Sequence, residues 1–293
     1  MKHSLVSLAL IGALVASVSG CGSSAAPAAQ GSTPTPADPK IAALVPASVK
    51  GHTISVAMDA SYPPFESFAS DRTTIVGFDA DLATAILARM GLKAQLVNVG
   101  FDAILTGLAS GRYDMADSAF SVTPEREKVV DFVDYLQGGS GLAVKSGNPL
   151  HLSMDPLALC GRNIAAQKGT LQAMTQLPEI TKTCTGAGKP AVAVQLFPSE
   201  NDTNLALASG RVDAVMSGAT GIASQSKLSG GQIELAPGGL YDPAVMGIAL
   251  PKGSPLTKAV SASLASLYAD GTVKTLAEKW NIPASNLLPK SKA

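Results

Sequence analysis

The 293 residues include 46% hydrophobic and only 15% charged side chains, enough apolar material for one or two sizeable cores. Twenty-two basic residues balance twenty-two acidic ones, so the basic excess of a nucleic-acid binder is absent and no nucleic-acid partner is expected. Three Cys and three His are too few for a Cys/His metal centre, and neither metal nor cofactor is expected.

The chain begins with an address. Lys2 and His3 precede an uncharged run from Leu5 to Val18, too short to cross a bilayer as a helix. Val18-Ser19-Gly20-Cys21 follows and resembles the lipobox of bacterial lipoproteins. Small residues suit the peptidase, and the thiol of Cys21 accepts a lipid that anchors the new N-terminus. The plainer alternative is an ordinary signal peptide in which Cys21 is incidental. Removal of residues 1–20 leaves 273 residues (293 − 20), with a net charge near −1 once Lys2 is gone. From Gly22 to Pro39, sixteen of eighteen residues are Gly, Ser, Ala, Thr or Pro, which reads as a flexible tether. Residues 21–48 are assigned to the lipidated Cys and this tether. No later segment reaches eighteen uninterrupted apolar residues. The expected location is the outer face of the cytoplasmic membrane, held there by lipid.

The body then alternates strands and helices. Thr53 to Met58 alternates as a strand. Asp81 to Met90 places Leu82, Ala85, Ile86 and Met90 on one helical face and stops at Gly91. Asp102 can cap a helix through Leu108, followed by a strand from Met115 to Phe120. Ile164 to Ala166 and Ala191 to Leu196 read as strands, as does Ala214 to Ser217. Ser254-Pro255 opens a helix with Leu256, Val260, Leu264, Leu267 and Tyr268 inward, closed by Gly271. Thr272 to Trp280 is a last short helix. This alternation implies largely parallel sheets, whose ligands bind beyond the carboxyl ends of the strands.

One repeat organises these elements. Leu108-Ala-Ser-Gly-Arg-Tyr-Asp114 recurs as Leu207-Ala-Ser-Gly-Arg-Val-Asp213, six of seven residues matching. Each copy reads as a helix stopped by Gly and followed by a strand, which suggests two α/β lobes of similar build. Coincidence of common residues is the blander reading. Cys160 and Cys184 are the remaining cysteines. An even pair outside the cytoplasm most simply forms a disulfide. A thiol catalyst is the sharper alternative, and only His52 and His151 could serve it in the mature chain.

From Ile54 to Ile282 the chain resembles the family 3 solute-binding proteins of bacterial polar amino acid ABC importers. The matching stretches are Asp59-Ala-Ser-Tyr-Pro-Pro-Phe-Glu-Ser67, Val76-Gly-Phe-Asp-Ala-Asp-Leu82, Ser121-Val-Thr-Pro-Glu-Arg-Glu127, Lys168-Gly-Thr-Leu-Gln172, Gly210-Arg-Val-Asp213 and Ala269-Asp-Gly-Thr272. The resemblance implies an α/β, type II periplasmic-binding-protein fold. Two α/β lobes would be joined by a two-strand hinge and would close on one small ligand. Lobe I is expected at 49–137 and 243–288, and lobe II at 138–242.

The resemblance also assigns roles. Arg126 would clamp the ligand's carboxylate through a bidentate fork; otherwise it is a surface arginine in the charged run Glu125-Arg126-Glu127-Lys128. Thr170 would add a hydroxyl and a backbone N–H from the second lobe. Tyr62 and Phe101 would sandwich the ligand's side chain, and Asp59 would meet a polar or basic one. Ser121 would offer its hydroxyl, Ser118 its carbonyl, and Gln172 a rim contact. At Gly218 and Ala119 the chain departs from the pattern, because the carboxylate and hydroxyl expected to hold an α-ammonium are missing. Asp117, on the same face as Ala119 and Ser121 if the strand continues, is the candidate replacement. A carboxylate introduced at Gly218 should then improve capture if the cleft has room.

The expected function is a monomeric receptor that binds an amino acid or related carboxylate and works with the membrane permease of an ABC transporter. It is not expected to be an enzyme. Alternatives are an enzyme on the same scaffold, similar to cyclohexadienyl dehydratase and using Asp59, Asp117 or Glu66, and a ligand-sensing lipoprotein without a transporter.

Overall fold

Alternation in Thr53–Met58 does more than make a strand: it buries the two faces in different cores. Ile54, Val56 and Met58 join one cluster, while Ala57 points into another with Ile104, Leu108 and Phe120. The computed structural model describes residues 35–289. The expected leader 1–20, Cys21 and the first part of the tether lie outside the described residues.

In chain order, α1 (Pro39–Ala42) precedes β1 (Thr53–Met58), the short strands β2 (Ser61–Tyr62), β3 (Glu66–Phe68) and β4 (Ile75–Val76), and α2 (Phe78–Arg89). Then come β5 (Lys93–Asn98), α3 (Phe101–Ala109), β6 (Met115–Ala116), α4 (Pro124–Glu127) and the long β7 (Val130–Lys145). The next stretch holds β8 (Asn163–Gln167), α5 (Leu177–Gly186), β9 (Ala193–Phe197), α6 (Glu200–Ala208), β10 (Ala214–Gly218), α7 (Ala219–Leu228) and β11 (Ile233–Leu235). The long β12 (Tyr241–Pro251), α8 (Thr257–Ala269) and α9 (Thr272–Lys279) complete it.

The main sheet follows the hydrogen-bonded path β5-β1-β6-β12-β7-β10-β8-β9, with β11 added to β7 at the side, while β2, β3 and β4 form a small separate sheet. Both ends are parallel: β1 pairs β5 and β6, and β8 pairs β9 and β10. The middle is antiparallel, with β12 against β7 from Pro251–Val130 to Tyr241–Ser140. Ile164 and Ala166 of β8 face one core and Ala165 faces another, so this half also has helices on both sides of its sheet. Two of the buried clusters draw on residues before 137 and after 245, and the other two on residues 142–236. Among the described residues, only β7 and β12 run between these two sets. The chain thus has two α/β lobes joined by two crossing strands.

The repeat has a structural cause. After α3 and after α6 the chain turns through Gly111 (φ 72°) and Gly210 (φ 76°), a conformation that suits glycine. Arg112 N then donates to Gly107 O, and Arg211 N to Ala206 O, both at 2.9 Å. Asp114 Oδ2 accepts from Ser55 N at 2.8 Å at the start of β1, and Asp213 Oδ2 accepts from Asn163 N at 2.8 Å at the start of β8. Each Asp satisfies an otherwise open strand N–H and aligns two parallel strands.

Two expectations need correction. The tether does not extend to residue 48. Asp38 caps α1, accepting from Lys40 N at 2.8 Å, and Ile41 of the helix and Val45 of the turn after it bury against the first core. The strand at 115–120 is only Met115–Ala116. Beyond it regular pairing is broken: Ala119 adopts φ 46° with its N–H donated to Asp79 Oδ2 at 2.8 Å, and Ser121 meets the sheet again only as an isolated bridge to Met246 of β12. Cys160 and Cys184 are bonded, as expected, with Cα atoms 5.4 Å apart.

Candidate functional site

Each parallel strand of the two lobes ends at the same place, and the turns beyond the strands form a cleft. The end of β1 delivers Asp59, β2 Tyr62, the β5–α3 turn Phe101, and the segment after β6 Ser118, Ala119, Ser121 and Arg126. From the second lobe, the β8 end delivers Gln167, Thr170 and Gln172, the β9–α6 turn Glu200, and the end of β10 Ser217 and Gly218. Gly138 and Ser140 of β7 with Asp242 and Met246 of β12 close the hinge side. Of the eleven residues expected at the ligand, ten line this cleft.

Asp117 is the exception. It is fully buried beneath the cleft, beside Glu66 and Asp79. Because the strand stops at Ala116, the two-residue period no longer carries Asp117 to the side of Ser121. Burial and the neighbouring Asp79 hold the Asp117 carboxyl well above the usual range. Tyr135 donates its hydroxyl to Asp79 at 2.9 Å, and neither oxygen of Asp117 has a partner at hydrogen-bond distance. An electrostatic contact with that hydroxyl remains.

Arg126 lies at one side of the cleft. Thr123 caps its helix, and the guanidinium carbon sits 5.7 and 5.6 Å from the ring centroids of Phe101 and Phe120. Its Nη1 donates to Ser121 O and its Nη2 to Gly169 O of the other lobe, each at 2.8 Å. Among the described residues it forms no ion pair. Burial pushes its pKa down to about 10, so the group stays charged at neutral pH. Thr170 sits opposite, but its hydroxyl donates to Gln167 O at 2.8 Å and its N–H leans on the same carbonyl at 3.4 Å. It meets a carboxylate only if that hydroxyl turns.

Asp59 marks the anionic side. Its Oδ2 accepts from Phe101 N at 3.2 Å and from Gln167 Nε2 of the other lobe at 2.5 Å; burial raises its pKa despite these bonds. Ser118 Oγ accepts from Asp59 N at 3.1 Å and donates to Glu66 Oε1 at 2.6 Å, so its side chain is committed below the cleft. Gln172 Nε2 donates to Ser140 Oγ at 2.8 Å on the hinge side. Tyr62 stacks on Phe65 with centroids 5.3 Å apart, and its hydroxyl reaches Ser217. A Cβ at Gly218 would lie 2.0 Å from that hydroxyl. A carboxylate at 218 therefore fits only if Tyr62 moves, so the room on which its expected gain depended is taken by the tyrosine.

Gln167, Glu200, Ser217 and Asp242 are cleft residues that motif reasoning missed. Position was the available signal: three of them sit at or just past the ends of parallel strands, where ligands of such sheets bind.

Residues 54–283 match the bacterial extracellular solute-binding proteins, family 3. The arginine-binding protein ArgT of Corynebacterium glutamicum is 29% identical over 245 residues, covering 83% of this chain and 79% of that one. The ABC transporter arginine-binding protein 1 of Escherichia coli is 28% identical over 232 residues, 78% of this chain and 90% of its own. A solved ancestral arginine-binding protein bound to arginine superposes with a TM-score of 0.70 at 31% identity, covering 78% of this chain and 97% of that one. Fold, cleft and matched length agree: the chain belongs to the family 3 bacterial extracellular solute-binding proteins.

Proposed function

We propose that this protein captures one polar amino acid between its lobes and hands it to the permease of an ABC importer. The observation that carries this reading is the charge layout of the cleft. Arg126, half-buried and, among the described residues, without a carboxylate partner, stands at one side, and the buried carboxylate of Asp59 stands at another. An amino acid presents a carboxylate and a cation, and a bidentate guanidinium suits the carboxylate. The arginine-binding names of the relatives favour a ligand with a basic side chain, which Asp59 suits.

Lobe I is assigned to 49–137 and 243–288, with the α1 segment from Asp38 packed onto it, and lobe II to 138–242. The division of the buried clusters near 137–142 and 236–246 supports this. Closure is by bending of β7 and β12, which leaves both cores intact. The mature chain is a monomer held on the outer face of the cytoplasmic membrane by lipid on Cys21. A transporter role, rather than sensing, predicts genes for a permease and an ATPase beside its own.

An enzyme on this scaffold is the weaker reading. Two of the three acids expected for it, Glu66 and Asp117, are fully buried outside the cleft lining, so of those three only Asp59 faces a ligand, with Glu200 as a further cleft carboxyl. A thermal-shift screen against amino acids, amines and organic acids tests the main reading, since a ligand at about 100 times its Kd adds about 2.7 kcal/mol. Stabilisation by one or a few amino acids supports it. Stabilisation only by ligands lacking an amine contradicts it.

A further inference from the structure

Glu200 begins α6 behind its Ser199 cap, whose Oγ accepts from Asp202 N at 3.1 Å. The residue is 4% exposed, yet it lines the cleft. Its backbone N–H donates to Ser61 Oγ of the other lobe at 3.2 Å, which fixes the helix start across the gap. Facing its carboxylate are Asp59 from the end of β1, Tyr62 from β2, Ser217 from β10 and Thr203 on its own helix. None of these is a cation, and among the described residues Glu200 forms no ion pair. A carboxylate removed from water is costly unless a charge meets it. Here the protein supplies hydroxyls, a phenol and a second carboxylate.

We propose that Glu200 is the counter-charge for the ligand's cationic nitrogen, taking over the work that the sequence pattern would give to a carboxylate at position 218. At 218 the Tyr62 hydroxyl fills the space a side chain would need. Glu200 reaches the Ser217–Tyr62 corner from a different strand-to-helix turn, so the negative charge is kept while its point of attachment moves. With Asp59 opposite, the two carboxylates form a seat that one ammonium or guanidinium can bridge. This inference rests on the amino acid reading above and names the residue that discriminates for cationic ligands.

It has a consequence in protons. Burial first, and Asp59 in addition, push Glu200 up to about 7, although Ser217 and Thr203 pull it down. Below that pH the free protein carries Glu200 as the neutral acid. An entering cation favours the carboxylate, so the carboxyl proton passes to solvent and the ligand's charge takes its place. Affinity for a cationic ligand therefore rises with pH up to about 7 and levels off above.

The test is calorimetry on the full mature chain, titrated with L-arginine or with the amino acid of largest thermal shift. Two buffers of unlike ionisation enthalpy are used at pH 6 and pH 8.5. The expected result is release of about one proton at the lower pH and far less at the higher. Glu200→Gln should abolish the release, flatten the pH dependence, and weaken binding at pH 8.5 about thirtyfold or more. The proton count on the wild-type chain keeps the test valid if the variant folds poorly. Tight binding with no proton release at either pH overturns the inference and leaves the amino acid reading standing. So does a Glu200→Gln chain that binds and releases protons as the wild type does. Absence of binding by every amino acid removes the underlying reading, and the role of Glu200 with it.

Discussion

The hydroxyl of Tyr62 occupies the place a side chain at Gly218 would take: a Cβ there would stand 2.0 Å from Tyr62 Oη. Tyr62 belongs to the first lobe and Gly218 to the end of β10 in the second, so the pair meets only when the lobes are together. Gly221 repeats the relationship one turn on, with a Cβ 2.4 Å from Tyr62 Cε2. The second lobe carries a glycine slot that receives the tyrosine ring.

Filling that slot should hold the cleft open. Gly218→Asp is expected to weaken amino acid binding at least about tenfold, a loss of about 1.4 kcal/mol, while each lobe keeps its core. Small-angle scattering of the variant with saturating ligand should report the extended form. A compact, tightly binding Gly218→Asp chain would show that the tyrosine yields and that the slot is unimportant.

The buried carboxylates set the response of stability to pH. Burial, and for Glu66 and Asp117 the nearby Asp79, raise the pKa of all three residues, Asp79 to about 6 and the other two well above the usual carboxylate range. A raised carboxylate binds more protons in the folded state. Its contribution is complete below the unfolded value near 4 and is lost as pH rises through the folded value. Melting temperature should therefore fall between pH 5 and pH 8, in the window where Asp131 and Asp270, whose pKa values are lowered, stay ionised in both states. Asp117→Asn should recover at least about 1 kcal/mol at pH 8, or about 2–4 °C. A melting curve that is flat from pH 5 to pH 8, and unchanged by the substitution, would contradict this.

Much of this molecule was legible in its residues. β1 fell on the span read from the alternation of its large apolar residues, and α8 and α9 fell within a few residues of theirs, because apolar residues at a fixed period mark such elements. The long crossing strands β7 and β12 were seen only as hinge segments. They enter both lobes, so no single face of either is apolar along its length. Arg126 and Asp59 were found because motifs surround them. Glu200 was not, since its position in the cleft depends on the packing of α6 against β2 across the two lobes. Asp117 was misplaced for a local reason: the backbone turns through Ala119 at φ 46°, a conformation that alternating polarity does not announce.

Reduction of the Cys160–Cys184 bond should destabilise the second lobe. The bond closes a loop of 24 residues in sequence separation, worth about 3 kcal/mol by chain entropy. Both sulfurs pack near Pro156 O, at 3.8 and 3.7 Å. Denaturant titration of a Cys160→Ser, Cys184→Ser chain is expected to show the loss in residues of the second lobe first, read by hydrogen exchange. Equal stability of the two forms would mean that native packing alone holds α5 in place.

Capture of an amino acid carboxylate by Arg126 is the centre of the functional reading, and paired calorimetry of wild type and Arg126→Ala tests it most directly. The wild type should bind one amino acid per chain. The variant, with a circular dichroism spectrum and melting temperature near those of wild type, should lose about 2–5 kcal/mol of binding free energy or show no measurable heat. A well-folded Arg126→Ala chain that binds the same amino acid with undiminished affinity would contradict the clamp, and with it the charge layout on which the function is proposed.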